Sequence, residues 1–268
     1  MADCNQVRSI VSDKKDEYPS LAAFLEPIWA IIGLNNVHFP DRITVGEKIL
    51  IRKSEPLDKR TWQPASSQEA RSKALVQRAD ELRLGLRARD PQRLAFATGS
   101  AFVDGGFRLN LFTQTLFLSF PDFNAVDLET EQTMPVSVQA LLLYYFTTAD
   151  ASPLTGRWIS FAELPDGRVY NQAYQGYSGD LLARRFGTDL PGFERASLLI
   201  AAGRISYGDS GYAFLALPCV SLAAVLWQGD DEFPASCKVL FDASVIHYLP
   251  TDVCAILGSL LTGKLLKA

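Results

Sequence analysis

Two hydrophobic periods alternate along this chain. Between Gln68 and Arg89, Ala70, Ala74, Leu75, Leu82 and Leu86 recur at helical spacing, which predicts an α-helix ended by Asp90-Pro91. From Arg93 to Phe120 the period becomes two. Phe107, Leu109 and Leu111 alternate with Arg108, Asn110 and Phe112, and Leu116, Leu118 and Phe120 alternate with Thr115, Phe117 and Ser119. That pattern predicts strands, with Asp104-Gly105-Gly106 as a turn. Val136 to Ala149 is apolar on nearly every side and reads as a buried helix, ended by a turn over Asp150 to Gly156. Trp158 to Phe161 reads as extended, and Arg168 to Tyr170 leads onward into a helix over Asp180 to Phe186, closed by Gly187. Gly192 to Ala202 is a further predicted helix, stopped by Gly203. Tyr212–Leu217, Ser221–Trp227 and Lys238–Phe241 are predicted strands. Thr251 to Leu266 is a predicted amphipathic helix with Thr251 as its cap. Strands joined by short turns among irregularly placed helices favour an α+β fold with a mainly antiparallel sheet and packed helices.

Ahead of this region, residues 5–54 read as a small unit of their own. Gln6 to Ser12 has strand character, Pro19 to Gly33 is helical with a break at Pro27, and Lys48 to Arg52 is a strand, giving the order βααβ. Residues 55–67 (EPLDKRTWQPASS) have linker composition. The expected organisation is therefore a unit over 5–54, a linker over 55–67 and an α+β domain over 68–268.

Charge narrows the function classes. The 268 residues are 48% hydrophobic, and their formal net charge of -4 argues against a general nucleic-acid binder, which would meet phosphate with net repulsion. No apolar run of roughly 18 residues predicts a membrane span. The first residues lack a basic start followed by an apolar block, so the protein is expected in the cytoplasm. The cysteines, Cys4, Cys219, Cys237 and Cys254, form no C-x-x-C pair and read as buried reduced thiols rather than a metal site. Neither a G-x-G-x-x-G turn nor a Walker loop is present, and Gly208-Asp209-Ser210-Gly211 does not complete a G-x-S-x-G nucleophile turn.

The stretch from Arg157 to Gly187 carries the densest candidate chemistry. Trp158, Tyr170, Tyr174 and Tyr177 are interleaved there with Arg157 and Arg184. Rings beside guanidinium groups grip a flat or anionic ligand by stacking and charge-assisted hydrogen bonds. The same residue types also build an ordinary core. A pocket of these side chains suits a small planar or anionic ligand, such as a tetrapyrrole or flavin-like cofactor, with His247 available as an axial metal ligand. Asp209, between glycines and beside Tyr207 and Tyr212, belongs to the same candidate region.

Two resemblances add to this reading. Leu34-Asn35-Asn36, Pro40-Asp41-Arg42-Ile43, Val45-Gly46 and Ile49-Leu50-Ile51 resemble the second half of a LysM module, a small βααβ fold that often binds N-acetylglucosamine glycans. The Gly-Asp-Thr-hydrophobic-Trp opening of that family is missing, so the resemblance implies the shape, with protein contact as the expected use. From about Gln68 onward the chain resembles the family described as domain of unknown function 3786. The matching pieces are LLLYYFTTADASPLTGRWISFAELPDGRVYNQAYQGYSGDLLARRFG, YGDSGYAF, WQGDDEFPASCKVLFD and HYLPTD. Some relatives carry an added iron–sulfur domain, whereas this chain has no cysteine cluster of that type. The resemblance implies a fold and supplies no reaction.

Three functions are open on these grounds. The first is a cytoplasmic, non-catalytic protein binding a cofactor or partner through Trp158 to Arg185 and the Asp209 loop. The second is an enzyme with Asp209, Tyr170 and His247 as acid/base groups. The third is a structural interaction protein that uses the N-terminal unit and the basic face of the Gln68–Arg89 helix, where Arg71, Lys73, Arg78, Arg83, Arg87 and Arg89 outnumber the acids.

Overall fold

A computed structural model describes residues 64–268, with side chains from Val76 onward. The βααβ unit expected over 5–54, with its protein-contact role, lies outside the described residues. Residues Leu75–Ala268 form one compact unit, the second of the two into which the chain divides. The second is α+β with antiparallel sheets throughout, as the alternation of periods predicts.

Helix α1 (Pro64–Arg87) begins inside the stretch of linker composition, since proline is tolerated in a helix's first turn. Its arginines fasten it onto α3 (Val136–Thr148) and its surroundings. Arg78 Nε donates to the Tyr144 hydroxyl at 3.0 Å, Arg83 Nη2 to Gln139 Oε1 at 2.5 Å, and Arg87 pairs with Asp122 at 3.0 Å. Just past the helix, Arg89 Nη1 reaches the Thr147 carbonyl at 3.1 Å. The part of the basic face that carries these residues is therefore turned to the domain itself.

Helix α2 (Pro91–Thr98) corrects the expectation of strand from Arg93. Asp90 accepts from the Gln92 N–H at 3.0 Å and Pro91 opens the helix, so the pair that stops α1 also starts α2. Strands β1 (Ala101–Val103), β2 (Gly106–Leu111), β3 (Gln114–Ser119) and β4 (Ala125–Asp127) follow as a four-stranded meander. Phe107, Leu109 and Leu111 point into the core and Arg108 and Asn110 out of it, as the alternation requires.

The second sheet has the order β5-β9-β8-β7-β6, with β5 Trp158–Ile159, β6 Gly203–Ile205, β7 Ser210–Leu217, β8 Val220–Trp227 and β9 Ser236–Asp242. The β2–β3 hairpin tip locks onto it. Phe112, held at φ +54°, donates its N–H to the Ala216 carbonyl at 2.8 Å, where the β7–β8 register slips between Leu215 and Leu217. The irregularity in β7 frees that carbonyl for the other sheet.

Helices α4 (Gly167–Tyr177), α5 (Gly179–Phe186) and α6 (Leu190–Leu199) connect β5 to β6. The last helix, α7 (Thr251–Lys267), is buried on nearly all sides. This corrects the amphipathic expectation: α3 to α6 all pack against it, so no side of it is left to be polar. Thr251 is not its side-chain cap either, because the Thr251 hydroxyl donates instead to the Pro165 carbonyl at 2.7 Å.

Candidate functional site

The structure divides the predicted site residues among four places. Tyr170, Tyr174 and Tyr177 stand at i, i+4 and i+7 on α4, and that spacing puts all three on one helix face. The face is turned inward, and all three are buried. Tyr174 stacks on Phe161 with ring centroids 4.3 Å apart, lies edge-on to Tyr177 at 5.7 Å, and meets Phe241 of β9 at 5.9 Å. Phe161 thus covers the face of Tyr174 that a planar cofactor would use. A Cβ on Gly258 of α7 would overlap the Tyr174 hydroxyl, so that hydroxyl abuts bare backbone and makes no hydrogen bond. Burial, reinforced by Tyr177, pushes the Tyr174 phenol well above its ordinary pKa, and burial does the same to Tyr177. These tyrosines are neutral core residues.

Arg184, the second predicted cation, is exposed on α5, away from that buried face. Asp209 is exposed in the turn between β6 and β7, where its carboxylate accepts the Gln228 N–H at 2.7 Å and its own N–H donates to the Leu226 carbonyl at 3.0 Å. It is a turn fastener. The enzyme constellation is also separated by the sheet. Ser210 pairs with Leu226 at one end of β8, while Phe241, just before the segment carrying His247, pairs with Leu222 toward the other. Asp209 and His247 therefore stand at opposite ends of the strands, with Tyr170 buried.

Arg157, Trp158 and His247 share one neighbourhood, built on a buried carboxylate. Asp242 closes β9 and accepts from Thr155 N at 3.0 Å, the Thr155 hydroxyl at 2.9 Å, Gly156 N at 2.7 Å and Ser244 N at 2.9 Å. Burial alone raises this carboxyl, and the donors from Thr155 and Ser244 outweigh it, leaving Asp242 below the usual carboxylate range. Asp242 thus caps the short 3-10 turn Ala243–His247 and at the same time holds the preceding loop. Two further ties fix that loop. His247 Nδ1 and Asp150 Oδ2 are 2.7 Å apart, and the Tyr248 hydroxyl donates to the Ser152 carbonyl. Asp150 itself is held below the usual carboxylate range, first by Ser152 and then by His247.

At the end of this fastened loop lies a cleft of about 360 Å³, lined by Arg157, Ile159, Glu163, Pro165, Ala243 and Ile246. Arg157 is exposed, and Trp158 is half-buried on edge strand β5 beside it. Glu163 is set by a capping box around the 3-10 turn Phe161–Glu163, its Oε2 accepting the Ser160 N–H at 2.7 Å and the Ser160 hydroxyl at 2.8 Å. Those bonds, and then the field of Arg157, keep its carboxylate ionised below the ordinary range. Glu163 was missed from the sequence although Ser160-Phe161-Ala162-Glu163 is a readable capping signature. Asp150 and Ile246 carry no such signal, because the fold alone brings 150–157 to 243–247.

No group of metal-ligating side chains gathers among the described residues, and no described helix is long and apolar enough to cross a membrane. Cys219, Cys237 and Cys254 are free, and burial pushes the Cys237 thiol up to about 12. A family model described as "Domain of unknown function (DUF3786)" matches residues 90–264, which include the cleft and both sheets. No curated protein and no solved structure matches the chain.

Proposed function

The chain belongs to the DUF3786 family, and from that premise we propose that this domain is a non-catalytic binding module for a small anionic ligand, seated at Arg157. What carries the reading is the cleft beside the end of the fastened 150–157 loop and the two 3-10 turns, lined by Arg157 and Glu163 together with apolar residues. Its volume lies at the low end of the ~300–1,000 Å³ typical of ligand clefts. The rigidity of the loop supports it too. An irregular surface loop held by a buried carboxylate and the Asp150–His247 contact keeps the Arg157 backbone in one place, which reduces the ordering cost of binding. The same proposal places the protein in the cytoplasm, since the described cysteines are unpaired, as thiols are in a reducing compartment.

The test is a thermal-shift screen of the full chain against small carboxylates, α-amino acids among them, and organic phosphates, repeated on Arg157→Gln. At least one anion is expected to raise the melting temperature of the wild type and to leave the variant's unchanged. An equal response in both proteins, or none in either, contradicts the proposal.

A further inference from the structure

Resting on the cleft as the ligand seat, we infer that its ligand is a zwitterion with an apolar body, of the chemical class of free aliphatic α-amino acids. Arg157 alone would take any anion. Glu163 lines the same cleft, and its orientation is fixed, because Oε2 is committed to both donors of Ser160 while Oε1 has no such bond. The two charges feel each other, since Arg157 helps hold Glu163 ionised, yet they do not close into an ion pair. A cleft with an open pair of opposite charges discriminates by charge number. A simple anion meets Glu163, a simple cation meets Arg157, and a neutral apolar molecule desolvates both without compensation. A molecule with adjacent carboxylate and ammonium groups satisfies both. The other lining residues, Ile159, Pro165, Ala243 and Ile246, are apolar in type and offer an aliphatic side chain carbon to pack on.

The experiment is calorimetric titration of the full chain with L-leucine, L-isoleucine and L-valine. The comparison ligands are isocaproate and isoamylamine, which keep the leucine body and lack the ammonium or the carboxylate. At least one amino acid is expected to bind, with each truncated analogue about tenfold weaker or worse, the scale of one lost charge-assisted contact. Glu163→Gln retains an acceptor for Ser160, so the turn is kept. It is expected to weaken the amino acid about tenfold and to leave isocaproate equal or tighter. Arg157→Gln is expected to weaken both. Isocaproate binding as tightly as leucine, or a response to other anions with none to the three amino acids, overturns the zwitterion while the anion-binding reading stands. Silence toward every ligand here and in the anion screen ends both.

Discussion

Under α4 and at the lip of the cleft, neighbouring parts of one stretch meet opposite fates. Tyr170, Tyr174 and Tyr177 are sealed against Phe161, Phe241 and the bare backbone at Gly258. Arg157 and Glu163, from the same stretch, stay at the surface beside a loop tied down from beneath by Asp242. Composition puts rings next to guanidinium groups. Helical phase then separates them: the tyrosine spacing of four and three turns every ring to one side, while Arg168 on the same helix is exposed. A region dense in binding-type residues is thus half core, and of its cleft-lining residues all precede the helix.

The contrast breaks most visibly in the core. Tyr174→Ala is expected to cost about 4 kcal/mol of unfolding free energy, the scale of removing a buried ring. Urea denaturation measures this, and anion binding at the cleft should persist wherever the variant remains folded. Asp242→Ala comes next, at about 3 kcal/mol, because it removes the charged acceptor of Thr155 and Gly156 and leaves the buried Ser244 N–H unpaired. Unlike the tyrosine change, it should also abolish binding by freeing the loop. Gly258→Ala is expected to cost about 2 kcal/mol by overpacking, and Tyr174→Phe in the same chain should restore part of that loss. His247→Ala, removing one exposed partner of Asp150, should cost less than about 1 kcal/mol.

A finer contrast separates two buried aspartates. Asp242 has a folded-state pKa below its unfolded value, so its contribution is present above about pH 4 and is lost as the pH falls toward the folded pKa. Asp252, in the first turn of α7, is raised by burial, which the Val253 N–H and the field of Arg78 only partly offset. Its folded form holds a proton longer than its unfolded form, so stability is lost as the pH rises from about 4 through the folded pKa. Relative to wild type, Asp242→Asn should therefore look progressively worse as the pH rises toward about 4, and Asp252→Asn progressively better as it rises above about 4. Denaturation at a series of pH values checks both signs. This effect is the smallest of the set.

Much of the architecture is legible in the sequence. Strands β7 to β9 and helices α3 and α5 follow from apolar runs and their glycine or turn boundaries. Helix α2 is hidden because Asp90-Pro91 reads equally well as a stop and as a start. Helix α4 is hidden behind Pro165-Asp166-Gly167, a turn signal that also opens it. Asp166 takes a left-handed conformation at φ +57°, and a Cβ on Gly167 would overlap the Phe161 carbonyl. Of the site, Arg157 and His247 are visible as residue types, and Glu163 is visible as a capping box. The Asp150–His247 tie and the reach of Asp242 back to Thr155 are set by tertiary structure, and no local pattern marks them.

Amide chemical-shift mapping of the isotopically labelled chain, titrated with the best anion from the thermal screen, asks directly which half of the stretch binds. Perturbations gathered on residues 155–165 and 243–247, and absent in Arg157→Gln, are the predicted result. Perturbations centred on residues 170–177 or 207–211 would contradict the account, placing the ligand among the tyrosines or at the Asp209 turn.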